Sequence, residues 1–102
     1  MNKKSKTYRP LPSSLTVKES KIEGLGLFAT ENISKGTCLG ISHIKNIDWE
    51  NGFIRTPIGG FVNHSENPNC KFDGDDTLFL FTLTEIMEGE ELLANYTLYK
   101  PE

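Results

Sequence analysis

Hydrophobic residues occur along the chain in short runs, and clusters of Gly, Pro, Ser, Asn and Asp separate these runs. Residues 15–17, 37–42 and Phe53–Arg55 are rich in apolar and β-branched side chains, which predicts short strands. Residues 24–29 predict a tight turn that runs into a further strand, and residues 44–52 predict an irregular connection. No segment of ten or more residues has clear helical periodicity. The pattern therefore predicts a mainly β protein built from short strands and long connections.

A hairpin is the strongest local signal in this pattern. Residues 71–72 and 77–83 flank the sequence Asp-Gly-Asp-Asp at 73–76, and Asp-Gly is typical of a tight turn. Both alternating sets of positions in residues 77–83 are largely apolar, so we predict that this strand is buried on two sides. Residues 85–91 predict an acidic turn, and residues 92–99 predict the last strand.

Length and composition indicate one folded domain. The chain has 102 residues, of which 36% are hydrophobic and 10% aromatic, enough for one modest core. Residues 1–14 are basic and lack apolar periodicity, so we predict a flexible basic arm there and the folded domain at residues 15–102. The apolar runs are too short to cross a bilayer, and the N-terminus lacks the apolar stretch of a signal peptide. We therefore expect a soluble, intracellular protein that is not secreted and has no membrane partner.

The net charge of −3 conceals an asymmetry along the chain. Residues 1–21 hold six basic side chains against one acidic side chain, which gives +5. The other 81 residues hold five basic against thirteen acidic side chains, which gives −8. Because binding to nucleic acid depends largely on neutralising phosphates, this acidic body disfavours direct nucleic-acid binding and favours cationic partners.

Two groups of residues raise the question of a bound metal. Cys38, His43, His64 and Cys70 could in principle close a zinc site, but they lack the tight pairs of structural zinc sites. A small zinc-stabilised interaction domain therefore stays as an alternative to test. A calcium loop that starts at Asp73 would require Glu at its twelfth position, where Thr84 stands. We predict no bound metal.

Three further motifs each have an ordinary structural explanation when taken alone. Gly24 and Gly26 could form a plain turn or allow backbone to approach a ligand closely. Asn63 and His64 could belong to a polar loop that satisfies its own backbone. Tyr96 could place its hydroxyl at the rim of the core. Their order and spacing, rather than any one of them, carry the functional signal.

Three blocks in this order resemble the SET domain family of protein-lysine methyltransferases. The first is GLGLFATENISKGTCLG at 24–40, which is similar to a G-x-G block followed by I-x-K-G. The second is FVNHSENPNC at 61–70, which is similar to an N-H-S-x-x-P-N block. The third is IMEGEELLANY at 86–96, which is similar to a G-E-E-L block that ends in tyrosine. The resemblance implies a fold of small β-sheets with a pseudoknot-like threading of the C-terminal segment through an earlier loop.

The resemblance also implies a cofactor, S-adenosylmethionine, and a role for each matched residue. The expected cofactor-binding residues are Gly24, Leu25, Gly26, Leu27, Asn63, His64 and Tyr99. In the family pattern, the backbone of the glycine block approaches the methionine part, Asn63 holds its amino group, and His64 lies along the adenine side. Tyr96 matches the catalytic tyrosine that orients the lysine amine. Ser65, Pro68 and Asn69 are expected mainly to shape the loop.

Several positions depart from the family pattern. Glu66 replaces a cysteine that helps hold zinc in many members, so another element must close the substrate channel. A second subunit, giving a homodimer, and ordering of residues 97–102 are the two options. Ala94 stands two residues before Tyr96, where Phe or Tyr is common, and Gly40-Ile41-Ser42 replaces a G-E-aromatic element. These changes leave the number of methyl groups transferred undetermined.

The sequence therefore predicts a minimal SET domain, similar to stand-alone SET proteins of viruses and some bacteria. Its expected activity is methylation of a lysine in a basic protein or peptide, with histone tails as one candidate substrate. The alternative is a catalytically inactive SET-like module that binds cofactor or peptide. Retention of Tyr96, Asn63 and His64 favours the enzyme, whereas the missing channel aromatics favour the inactive module.

Overall fold

The computed structural model describes residues 11–46, 48 and 52–95, and these form eight strands and one short helix. The elements are β1 (Leu15–Glu19), β2 (Leu25–Ala29), β3 (Cys38–Lys45), β4 (Phe53–Arg55), α1 (Pro57–Phe61), β5 (Asn63–His64), β6 (Cys70–Gly74), β7 (Thr77–Thr82) and β8 (Glu91–Ala94). The prediction of a mainly β fold with short strands is confirmed. No helix in the described part of the chain is long and apolar enough to span a membrane.

The strands form a curled sheet in which the last strand lies in the middle. Their order is β1-β2-β8-β6-β7-β3-β4, and β5 also pairs with β8. β8 runs antiparallel to β2 but parallel to β5 and β6. The C-terminal strand is thus inserted between strands from earlier parts of the chain, as the predicted threading requires. The segment that follows Asn95 lies outside the described residues.

The predicted hairpin is present, but its second strand is buried on one side only. β6 and β7 pair in register from Cys70↔Thr82 to Gly74↔Leu78. Along β7, Leu78, Leu80 and Thr82 are buried, whereas Phe79 and Phe81 are half-buried. The prediction of burial on two faces is therefore wrong, because only the Leu78 face of this strand is turned toward the core.

The segment between the third and fifth strands differs from the sequence prediction. β3 continues through Ile44 and Lys45, where an irregular connection was predicted. A one-turn helix follows β4, with Thr56 as its N-cap and Pro57 in its first turn. Both residues are typical of a helix start, but a helix of five residues is too short to produce a periodic pattern. This helix packs on β3 and leads directly to β5.

The core lies beneath the central strands. Its fully buried members include Leu27, Leu80, Ile86, Leu92 and Val62. Within the predicted arm, Leu11 packs against this core. Ser13 and Ser14 accept hydrogen bonds from Thr30 through their carbonyl oxygens, at 2.7 and 2.8 Å. The division of the chain at residue 15 stays a prediction, and residues 1–10 lie outside the described part.

Candidate active site

The three sequence blocks meet at β8. Leu27 of the glycine block pairs with Leu92, and Asn63 of the Asn-His block pairs with Leu93. β8 itself belongs to the third block, so it has the other two blocks on its two sides. Residues that are distant in the sequence therefore lie side by side along this strand.

The Asn63 side chain on β5 forms hydrogen bonds to the turn before β2, to the first residue of β2 and to β8. Its Nδ2 donates to the carbonyl oxygens of Glu23 and Leu25, at 3.1 and 3.2 Å, and to Oε2 of Glu91 at 2.9 Å. An amide nitrogen has two hydrogens, whereas three acceptors surround it here. The site is therefore rich in acceptors, and it holds the amide with its nitrogen turned toward Glu91.

Glu91 is a site residue that the sequence analysis did not single out. Its Oε2 accepts from Asn63, and its Oε1 accepts from the Ser20 hydroxyl at 2.9 Å. Ser20 in turn accepts hydrogen bonds from the backbone of Ile22 and Glu23 at 2.8 and 3.3 Å, which fixes the turn before β2. The available signal was the second glutamate of the G-E-E-L block, but no local pattern indicates its partners.

Asn69 fastens the central strand from the other side. Its Nδ2 donates to the carbonyl oxygen of Glu91 at 2.9 Å, and its Oδ1 accepts from the backbone nitrogen of Leu93 at 2.8 Å. Its own backbone nitrogen donates to the Leu93 carbonyl oxygen at 3.1 Å. The expected role of Asn69 in shaping the loop thus extends to holding β8 in place just before Tyr96.

The other predicted cofactor-binding residues lie on or beside the same strands. Gly24, with a φ of 46°, forms the turn before β2, and Leu25 is 49% exposed. The Leu27 side chain is fully buried in the core, so only its backbone can approach a ligand. His64 is exposed on β5, where it pairs with Ala94. Tyr96 and Tyr99 lie outside the described residues, and so does Trp49.

Comparisons with known proteins agree with this arrangement. The family model described as "SET domain" matches residues 41–97, which is more than half of the chain. The chain belongs to the SET domain family. The expected fold class and the expected family are both confirmed.

Curated relatives of this SET domain are histone-lysine methyltransferases. The chain is 27% identical to the histone-lysine N-methyltransferase trr of Drosophila melanogaster, over 94% of this chain. It is 30% identical to the H3 lysine-4 specific histone-lysine N-methyltransferase of Schizosaccharomyces pombe, over 76% of this chain. The match spans only 5% and 12% of the lengths of these two relatives. Membership and relatives together support methyltransferase activity on protein lysine.

Solved structures share the SET domain fold. A Plasmodium falciparum protein described as a histone methyltransferase superimposes with a TM-score of 0.66 at 19% identity, covering 84% of this chain and 95% of that one. The methyltransferase domain of human PR domain-containing protein 2 gives a TM-score of 0.63 at 21% identity, covering 82% and 77%. At these identities the likeness shows the fold alone.

The zinc alternative finds no support in the SET domain. Among the described residues, no three His, Cys, Asp or Glu side chains are grouped as metal ligands. Cys38 and His64 are exposed, whereas Cys70 and His43 are fully buried. Burial raises the pKa of the Cys70 thiol to about 12, which opposes the thiolate that zinc requires. The two exposed and the two buried side chains are therefore not grouped as one metal site.

Gly26 is where the backbone approaches the polar site most closely. A Cβ atom built at Gly26 would overlap Oε2 of Glu91 and would lie 3.1 Å from Nδ2 of Asn63. The overlapped atom is the end of a side chain, so the protein can adapt by moving Glu91 rather than by unfolding.

Gly26→Ala is therefore expected to weaken binding of S-adenosylmethionine by at least about tenfold, while the melting temperature falls by only a few degrees. Isothermal titration calorimetry and thermal melts check the two expectations. Gly60→Ala is a suitable control, because a Cβ there meets nothing within 4 Å. Unchanged affinity of Gly26→Ala for S-adenosylmethionine would show that the close packing at Gly26 has no part in binding.

His43 gives the SET domain a pH-dependent stability. Its ring is packed edge-on against Phe72 and Phe53, with centroids 4.8 and 5.9 Å apart, and its Nδ1 lies 2.8 Å from the Ser42 hydroxyl oxygen. Desolvation by burial, and secondarily the charge of Arg55, lower the pKa of His43 from 6.5 to about 4. In the unfolded chain, His43 takes up a proton below about pH 6.5, so the unfolded state binds more protons between pH 6.5 and pH 4. The free energy of unfolding must then fall as the pH falls through this window.

Between pH 7 and pH 5 we expect His43 to remove about 2 kcal/mol from the free energy of unfolding. Urea titrations at several pH values measure this loss. His64→Asn is the control and should keep the pH dependence of the free energy of unfolding. His64 is the only other histidine in the sequence, and it is exposed. His43→Asn should remove it. A direct NMR titration of the His43 ring decides the matter if that variant does not fold, and a pKa near 6.5 for His43 would contradict the expectation.

Proposed function

We propose that this SET domain is a protein-lysine N-methyltransferase that uses S-adenosylmethionine as its methyl donor. The observation that supports this most directly is the meeting of the three family blocks at β8, where Asn63 and Glu91 are hydrogen-bonded to each other beside Gly26. Tyr96, two residues after the end of β8, is the proposed catalytic residue.

The described residues fit the proposed donor. The glycine block packs closely against the polar groups of the site, since a Cβ at Gly26 would overlap Oε2 of Glu91. Asn63 sits among a surplus of acceptors, which suits the ammonium group of a methionine-like ligand better than an anion. In addition, Oδ1 of Asn95 is buried without a hydrogen-bond partner in the described part of the chain. The acceptors around Asn63 thus favour a cationic group over an anionic one.

When bound, S-adenosylmethionine supplies a methyl group activated on a sulfonium. Asn63 would accept from its amino group through Oδ1, the backbone at Gly24, Leu25, Gly26 and Leu27 would line its methionine part, and His64 and Tyr99 would contact the rest. The Tyr96 hydroxyl would hold the incoming lysine amine in line by hydrogen bonding. The amine must arrive neutral although a free lysine has a pKa of about 10.4, and a narrow channel that excludes water favours the neutral form.

The proposed substrate is a basic, lysine-containing protein or peptide. Residues 22–102 carry a net charge of −8, which attracts cationic segments and raises their rate of encounter. Both curated relatives are histone-lysine methyltransferases, so histone tails are the first candidates to test. A homodimer that closes the substrate channel remains part of the proposal.

The test is transfer of a labelled methyl group to protein lysine. The protein is incubated with methyl-labelled S-adenosylmethionine, core histones and cell lysate, beside a Tyr96→Phe variant. Label on lysine that is lost in the variant supports the proposal. Binding of S-adenosylmethionine without any transfer across these substrates would favour the inactive module instead. Absence of cofactor binding by calorimetry would show that the proposed site is wrong although the fold is that of a SET domain.

A further inference from the structure

The Glu91 carboxylate connects two sides of the site through its two oxygens. Oε1 accepts from Ser20 in the turn before β2, and Oε2 accepts from Asn63 on β5. Both bonds measure 2.9 Å. Ser20 lies 71 positions and Asn63 lies 28 positions before Glu91 in the sequence, and the Glu91 side chain on the central strand holds both of them.

An ionised carboxylate only accepts hydrogen bonds, so it discriminates between the two ends of the Asn63 amide. The amide nitrogen faces Glu91, and the carbonyl oxygens of Glu23 and Leu25 reinforce the same orientation. The amide oxygen is then turned the other way, where the proposed ligand would donate to it. Without the carboxylate, two backbone acceptors would remain, and the amide would be held less strictly.

Ser20 adds a second constraint. Its hydroxyl accepts from the backbone nitrogens of Ile22 and Glu23 and donates to Glu91. Glu91 therefore also fixes the turn that carries the Glu23 carbonyl oxygen to Asn63. The four residues Ser20, Glu91, Asn63 and Glu23 are thus joined in a closed ring of hydrogen bonds. This ring lies next to Gly26, where an added Cβ would overlap Glu91.

From this ring of hydrogen bonds we infer that Glu91 is a positioning residue, which orients Asn63 for binding of the amino-acid part of S-adenosylmethionine and does not take part in the transfer itself. The inference rests on the proposed function, because it names a residue that prepares the same site. According to this inference, Glu91 increases the affinity for S-adenosylmethionine, and other groups determine the rate of the chemical step.

Glu91→Ala is expected to weaken binding of S-adenosylmethionine by at least about tenfold, and Glu91→Gln, which keeps one acceptor oxygen, by a smaller factor of about three or more. The maximal rate at saturating donor should stay within about threefold of the unmodified protein. In an Asn63→Ala background, adding Glu91→Ala should have little further effect, because Glu91 acts through Asn63. Glu90→Gln is the matched control, since the Glu90 side chain accepts from the backbone nitrogen of Met87, whereas Asn63 donates to Glu23, Leu25 and Glu91.

Calorimetry gives the dissociation constants, and thermal melts show whether each variant is folded. If Glu91→Ala does not fold, the near-isosteric Glu91→Gln variant decides the question alone. The ¹⁵N signal of the Asn63 side-chain amide, identified by its loss in Asn63→Ala, should shift in both Glu91 variants and not in Glu90→Gln. Unchanged affinity in folded Glu91 variants, or full additivity with Asn63→Ala, would overturn the inference and leave the proposed function intact. If the unmodified protein itself does not bind S-adenosylmethionine, the proposed function and the inference both fail.

Discussion

A Tyr96→Phe variant should lose at least about 100-fold in the maximal rate of methyl transfer and should bind S-adenosylmethionine as tightly as the unmodified protein. The change removes one hydroxyl and retains the ring, so packing around it is disturbed as little as any substitution allows. The proposed reaction is a direct displacement at a methyl carbon, in which alignment of the attacking amine supplies much of the acceleration. Loss of the hydroxyl that is proposed to hold the amine should therefore affect the rate rather than the binding of the donor.

Single-turnover measurements with labelled donor, together with calorimetry, separate these two effects. Tyr8→Phe is the chemically matched control, because it also removes a tyrosine hydroxyl, but at a position in the predicted N-terminal arm. A Tyr96→Phe variant that transfers methyl groups within threefold of the normal rate would show that the hydroxyl has no catalytic part. A variant that fails to bind the donor would place Tyr96 in cofactor binding instead.

Gly59→Ala should cost at least about 3 kcal/mol of the free energy of unfolding, at the upper end of the range for overpacking. A Cβ at this buried position in α1 would overlap the carbonyl oxygen of Ser42 and would lie 3.1 Å from the His43 ring. That oxygen cannot withdraw easily, because it also accepts from the backbone nitrogen of Thr56 at 3.0 Å. The added Cβ at Gly59 would meet backbone atoms, whereas the added Cβ at Gly26 would meet the mobile end of a side chain.

Thermal and urea unfolding measure this cost, which should lower the melting temperature by at least about 12 °C in a domain of this size. Gly60→Ala is an internal control one residue away in the same helix. Its Cβ meets nothing within 4 Å, so it should be neutral or stabilise by up to about 1 kcal/mol. A Gly59→Ala protein that melts within about 3 °C of the unmodified one would contradict the close packing of α1 on β3.

Much of the local structure could be predicted because its signals are local. Two strand-like segments on either side of Asp-Gly predicted the β6–β7 hairpin, and short apolar runs bounded by turns predicted β1, β2 and β4. The helix α1 was missed, since its signal consists of only a cap and a proline. The two-sided burial of β7 was wrong because composition shows that a face can be buried, whereas the layers around it decide whether it is.

The sequence by itself determined the family, the β class and the residue types that the proposed chemistry uses. Gly26, Asn63 and Tyr96 were identifiable because their blocks keep a recognisable order and spacing. The tertiary structure alone decided that β8 is inserted between β2 and β5, and that Glu91 bridges Ser20 and Asn63. It also decided that the Asn69 amide fastens β8 by bonding Glu91 and Leu93. These contacts join residues between 22 and 71 positions apart, and they exist only after the strands have paired, so no local pattern of side chains could specify them.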